Sequence, residues 1–140
     1  IWGYATAPVI NLWFPPAGMN HLTTTLMLFA MICLVAGFLP AGHIATKTKH
    51  PIVLSIKIWA AAHLLANGDL ASVLLFVALL AWGVVLRISY KRRVRAGELV
   101  LKPFVSARWD AIAVVGGIVV WAVITMWLHK LLIGVAPLAM

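Results

Sequence analysis

Acidic side chains are nearly missing. Three Asp and Glu stand against eleven Lys and Arg in 140 residues, and charged residues of both signs make up only 10%. A soluble domain carries about 25%, so a surface facing water on all sides is excluded. Cysteine is as scarce. Cys33 is the only one, set in an apolar run, where it can form neither an internal disulfide nor a cysteine metal cluster and reads as a small buried hydrophobe. There is no Ser/His/Asp set, no pair of carboxylates, no glycine-rich phosphate loop and no zinc-ligand spacing, which leaves out the common hydrolase, glycosidase and nucleotide-binding chemistries. Internal repeats and low-complexity segments are also lacking.

What the chain has is hydrocarbon. Hydrophobic residues make up 64%, and the mean hydropathy is +1.07. At about 20 residues per crossing, the length holds four or five spans and no water-soluble domain. The expected fold is therefore all-α, a polytopic transmembrane helix bundle forming one domain over residues 1–140. Proline, glycine and charge breaks place four spans at about 21–39, 52–66, 70–88 and 110–134. The second has only some 15 residues, roughly 22 Å of helix against a ~30 Å hydrocarbon core. With the third it makes a tight hairpin about Asn67-Gly68-Asp69. Gly68 is expected at a positive φ in that turn, and Asp69 as the cap of the third helix. Ala62/Ala66 and Ala113/Gly117 are small-xxx-small pairs for close helix contact. Ile1-Trp2-Gly3-Tyr4, before an uncharged proline-containing loop, reads as the tail of a further helix, with more N-terminal helices expected upstream.

The formal charge is +8, and its placement orients the chain. Lys47 and Lys49 lie between the first two spans. Arg87, Lys91, Arg92, Arg93, Arg95, Lys102 and Arg108 cluster around the last connection, about 89–109, which is expected to be mostly extramembrane. Two spans separate the two basic segments, so both fall on one side, which the positive-inside rule makes cytoplasmic. The Lys91–Arg95 stretch is expected to touch anionic lipid. No nucleic-acid-binding fold is present to use these cations.

That topology sorts the five histidines by depth. His43 and His50 belong to the cytoplasmic loop and read as solvated. His21, His63 and His129 come from three helices to the opposite leaflet. An ionisable group at membrane depth suggests function, and facing imidazoles on separate helices are how a protein holds a b-type haem. Trp59 and Trp127 are placed to wall such a slot. Asn67 or Asp69 is placed to hold the second nitrogen of a ligating histidine. The plainer readings are that His21 and His129 are interfacial and that His63 packs. Lys57 either snorkels to the cytoplasmic surface or faces the bundle as a site cation.

Lys49-His50-Pro51, Lys57-Ile58-Trp59 and the run Ala60-Ala61-Ala62-His63-Leu64-Leu65-Ala66-Asn67-Gly68-Asp69-Leu70-Ala71-Ser72 resemble the signature of the bacterial NnrU family, as do Leu39-Pro40-Ala41-Gly42-His43 before them and Leu74-Leu75-Phe76 with the Arg87–Arg93 basic end after them. The resemblance covers about residues 1–95, with the last helix similar in outline. It implies a multi-span inner-membrane protein linked to nitrite and nitric oxide reduction, that is, to denitrification. Haem-dependent ζ-carotene isomerases are similar to this family, and their Ala-His motif falls on Ala62-His63. By that likeness His63 is the haem b ligand. The isomerases continue with a Trp-Ile-Gly-Asn type sequence, where this chain has Leu64-Leu65-Ala66-Asn67-Gly68-Asp69. The family's Gly-x-His-Ser type histidine, on its first helix, has no counterpart here. If that histidine is the second axial ligand it lies outside this chain, with His129 or His21 the fallback.

Two functions compete. One is a haem-binding membrane protein for redox sensing or polyene isomerisation, working by ligand exchange at an axial histidine. The other is a non-enzymatic accessory or assembly subunit of a larger respiratory or photosynthetic membrane complex. A small transporter is weaker, because Asp69 is the only acid near a span that is not a loop charge.

Overall fold

A computed structural model of the chain describes residues 2–138; Ile1 of the opening run lies outside them. The described chain is helical apart from its connections. In order it forms α1 (Trp2–Thr6), α2 (Met19–Phe38), α3 (His43–Thr48), α4 (Pro51–Ala66), α5 (Leu70–Arg95), α6 (Arg108–Val123), a π-helical turn (Ile124–Leu128) and α7 (His129–Ile133). Three helices are long and apolar enough to cross a membrane: Met19–Phe38, Leu70–Arg95 and the continuous Arg108–Ile133. The fourth, α4, has 16 residues, about 24 Å at 1.5 Å each. The protein is a membrane protein.

The distribution of side chains says the same. Buried positions are small or weakly polar: Thr23, Ala30, Ser55, Ala62, Ser72 and Ala113 are at most 9% exposed. Large apolar side chains such as Phe29, Phe38, Trp82, Val85 and Leu131 point outward. Lipid tails are as apolar as leucine, so nothing drives these side chains inward; small residues let backbones approach and dispersion does the rest.

The helices stand in a row. α2 packs against α4 on one side and α6 on the other, and α5 lies beyond α4. At Gly117 a β-carbon would lie 2.6 Å from the Cα of Ile32, so α6 and α2 are in backbone contact there. Two bonds pin α2 between its neighbours: the Thr23 hydroxyl donates to the Ala62 carbonyl at 3.0 Å, and the Trp121 indole donates to the Thr24 carbonyl at 2.9 Å.

The basic end departs from expectation in two ways. α5 does not stop near residue 88 but runs on to Arg95. Its last turns leave the apolar zone as helix, with the cations beside the negative end of the helix dipole. The segment 43–48 is a short helix. Its first amides, of His43 and Ile44, donate to the Asp110 carboxylate at 2.7 and 2.8 Å. Lys102 donates to the Gly37 carbonyl at the end of α2 (3.1 Å), and the Val105 amide to the Ala41 carbonyl (2.8 Å). Both basic segments therefore meet at one end of the bundle.

At the opposite end the loop before α2 folds over the α4–α5 turn. The Leu12 amide donates to the Gly68 carbonyl (2.8 Å) and the Leu70 amide to the Ile10 carbonyl (2.9 Å). This corrects the reason for Gly68, which is not among the positive-φ residues. A β-carbon there would overlap the Trp13 carbonyl oxygen, so glycine is needed for close approach. Asp69 caps α5, its carboxylate accepting the Ser72 amide at 2.9 Å.

Candidate functional site

His63 lies on the last turn of α4, half-buried. Trp59, one turn earlier, and Phe76 of α5 enclose it, with ring centroids 5.2 and 5.0 Å away. Trp59 and Phe76 also meet edge-on at 5.2 Å, and Phe76 is only 6% exposed. The adjacent Ala62 carbonyl takes the Thr23 bond, which fixes α4 lengthwise against α2 beside the imidazole.

A second imidazole comes to this one. The His129 ring centroid lies 6.4 Å from that of His63, the planes inclined by 22°. α6 brings it there through a change of helical pitch: the His129 amide bonds to the Ile124 carbonyl, five residues back. Such a π-turn adds a residue and rotates everything after it. Gly134, in the left-handed region at φ 85°, then stops the helix. The chain doubles back so that the Val135 carbonyl lies 2.7 Å from His129 Nδ1.

Both rings are held in the same tautomer. His63 Nδ1 lies 2.8 Å from the Trp59 carbonyl, as His129 Nδ1 does from Val135. A carbonyl only accepts, so each Nδ1 donates its N–H, which leaves Nε2 as the nitrogen able to ligate when the ring is neutral. A backbone carbonyl behind Nδ1 is the usual support of a ligating histidine. The partner expected in Asn67 or Asp69 is thus the Trp59 carbonyl. The Asn67 amide instead donates to the His63 carbonyl at 2.8 Å. Burial pushes the Asp69 carboxyl up, but bonds from the Ser72 hydroxyl and from backbone amides outweigh it, so it titrates below the ordinary carboxylate value.

The remaining expected residues fall elsewhere. His21 is exposed in the first turn of α2 and, among the described residues, its ring meets neither imidazole. Trp127 is 63% exposed and, among the described residues, makes no ring contact with either histidine. Lys57 lies with its stem along α5, where a β-carbon on Gly83 would meet its Cγ at 2.9 Å. His50 is not freely solvated: it is half-buried and stacks on Tyr90 at 4.5 Å. His43 stays exposed, with Phe104 stacked on it at 4.5 Å. The sequence reading missed Phe76 as a wall and the carbonyls of Trp59 and Val135 as supports. Phe76 stands on a different helix from His63 and backbone carbonyls leave no residue signature, so no local signal marked either.

Among the described residues no three His, Cys, Asp or Glu side chains gather in a way that could hold a metal ion. The arrangement can offer two neutral imidazoles, which suffices for an iron that brings its own four equatorial nitrogens. The two rings stand 6.4 Å apart between centroids with their planes 22° from parallel, close enough that one group placed between them would meet both.

Compared with known families, the chain matches the one described as NnrU protein over residues 1–137. No curated protein and no solved structure matches it.

Proposed function

Because the chain belongs to the NnrU family, we propose that it is a haem b protein of the bacterial inner membrane, with His63 and His129 as the axial ligands and its basic end in the cytoplasm. It serves either nitrite and nitric oxide reduction or the isomerisation of a membrane-dissolved polyene. The observation that carries this reading is the imidazole pair, with both Nδ1 atoms tied to backbone carbonyls.

A bound haem would supply a redox-active iron, and His63 and His129 would hold it. The protein's part is to position and protect. The Trp59 carbonyl orients His63 and raises its basicity as a ligand. Trp59 and Phe76 keep water from that face. His129 stands on one π-turn and a five-residue helix rather than on packed backbone. With haem bound, His63 would be the more firmly held of the two residues and His129 the less firmly held.

Purified protein with a Soret band that is lost in both His63→Ala and His129→Ala, and kept in His21→Ala, supports the assignment. A colourless full-length protein from haem-replete cells ends it. A second reading is an accessory subunit of a larger complex, whose partner would replace lipid along the last helix, where Met126, Leu131 and Leu132 are 67 to 77% exposed. It predicts stoichiometric co-purification that survives His63→Ala.

A further inference from the structure

The basic end of the bundle holds a feature that the haem reading does not use. A cleft of about 200 Å³ opens between the start of α4 and α5, lined by Lys47, His50, Lys57 and Arg87 with Thr48 and Val53. A second, of about 270 Å³, adjoins it, shares His50 and Arg87, and adds Lys49, Lys91 and Arg95. Six cations thus surround one hollow, and no acidic residue lines either part. Of the three acids in the chain, Glu98 meets Arg93 at the surface, Asp110 caps α3, and Asp69 is at the other end.

Bringing like charges together at the edge of a low-dielectric bundle costs free energy that nothing inside the protein offsets. Arg87 shows the deficit most directly, because its Nη1 is buried and has no hydrogen-bond partner. A buried guanidinium nitrogen is nearly always satisfied, and an orphan points to a partner such as a water or a bound anion. Lys57 crosses Gly83, one turn before Arg87, so its ammonium is directed along α5 toward the same space. His50, held against Tyr90, titrates below its ordinary value through burial, Arg87 and Lys49, as a site of uncompensated positive potential requires.

We propose that this cleft is a binding site for a phosphate-bearing anion, with Arg87 and Lys57 as its inner contacts and Lys47, Lys49, Lys91 and Arg95 as its rim. Guanidinium takes phosphate oxygens in a two-pronged bond, and basic pockets between helices at this level of a membrane suit acidic headgroups. The cleft lies inward of the exposed Lys91–Arg95 surface, so it selects one bound molecule rather than attracting lipid in general. The source is either the headgroup of an anionic lipid or a free phosphate compound, which share this chemistry.

The test uses the full chain with labelled histidines in neutral maltoside micelles, following the His50 ring by NMR. Dihexanoyl phosphatidylglycerol, dihexanoyl phosphatidylcholine and inorganic phosphate are titrated separately. Saturable binding of the phosphatidylglycerol, with the His50 titration moving up toward its usual range, is expected and assigns a lipid headgroup. Saturable binding of inorganic phosphate as well assigns a free anion. Arg87→Gln and Lys57→Gln should each weaken binding at least tenfold. Arg92→Gln removes the same charge from an exposed position outside both clefts and should change it less than twofold. No saturation by any probe overturns the proposal, as does equal binding of phosphatidylcholine or an Arg92→Gln loss as large as that of Lys57→Gln.

Discussion

Replacing Gly117 by alanine sets a methyl carbon 2.6 Å from the Cα of Ile32, 2.7 Å from its Cγ1 and 2.8 Å from its amide nitrogen. Two of those atoms are backbone, so no rotamer change relieves them. Ordinary contact begins near 3.4 Å, so α6 must withdraw from α2 by about 0.8 Å (3.4 − 2.6). A gap of that size forfeits a quarter to a half of each dispersion contact along the seam. It also stretches the Trp121–Thr24 bond from 2.9 Å beyond hydrogen-bonding range, worth ~0.6 to 1.7 kcal/mol between membrane helices. With ~1 to 3 kcal/mol for overpacking, the total is roughly 2 to 5 kcal/mol. Gly116→Ala is the control: its new carbon meets the Cγ1 of Val35 at 3.2 Å, a side-chain tip that can yield, and it should cost less than about 1 kcal/mol. Reversible unfolding of both variants in mixed detergent micelles, read by tryptophan fluorescence, gives the two numbers. If Gly117→Ala proves as stable as the parent, or Gly116→Ala as costly as Gly117→Ala, the helix seam is misplaced. Because His129 lies further along the same continuous helix as Gly117, the same withdrawal should, if the proposed haem is bound, lower the haem-to-protein ratio of Gly117→Ala.

Gly68→Ala drives a methyl into the Trp13 carbonyl oxygen and should release the loop before α2, seen as new proteolytic cleavage between residues 7 and 18. Asp69→Ala removes the α5 cap and should cost about 1 kcal/mol in the same unfolding assay. The lowered Asp69 titration gives a sign: its contribution is present above the unfolded carboxylate value of about 3.9 and is lost as pH falls through the folded value. The acid limb of a stability–pH curve should therefore flatten in Asp69→Asn, and an unchanged limb would count against the cap. His50 has the same sense for a different reason. Its folded value is depressed, so stability falls as pH drops below the ordinary imidazole value of about 6.5, and His50→Gln should remove that slope; a slope that persists would mean another group titrates there.

Composition and residue order were enough for the larger outline. Lipid as solvent followed from scarce charge and long apolar runs. The hairpin about Asn67-Gly68-Asp69, the Asp69 cap and the small-residue seam at Ala113/Gly117 followed from local rules of backbone geometry and close packing, which act within a few residues and so leave a local trace. Gathering the basic segments at one end needed only the count of spans between them. The rest depended on contacts between residues far apart in the chain. Gly68 is glycine because of a carbonyl 55 positions earlier, at Trp13, and Asp110 caps a helix that begins 67 positions before it. His129, and not His21, meets His63 because a π-turn rotates the end of the last helix, and the pitch of one turn is set by packing and termination rather than by any motif. Both imidazoles are supported by backbone carbonyls, which every residue possesses, so only folding could single out those of Trp59 and Val135. The unpartnered Arg87 nitrogen has the same origin: one arginine among eleven cations becomes distinct once α5 packs beside α4 and its Nη1 is buried.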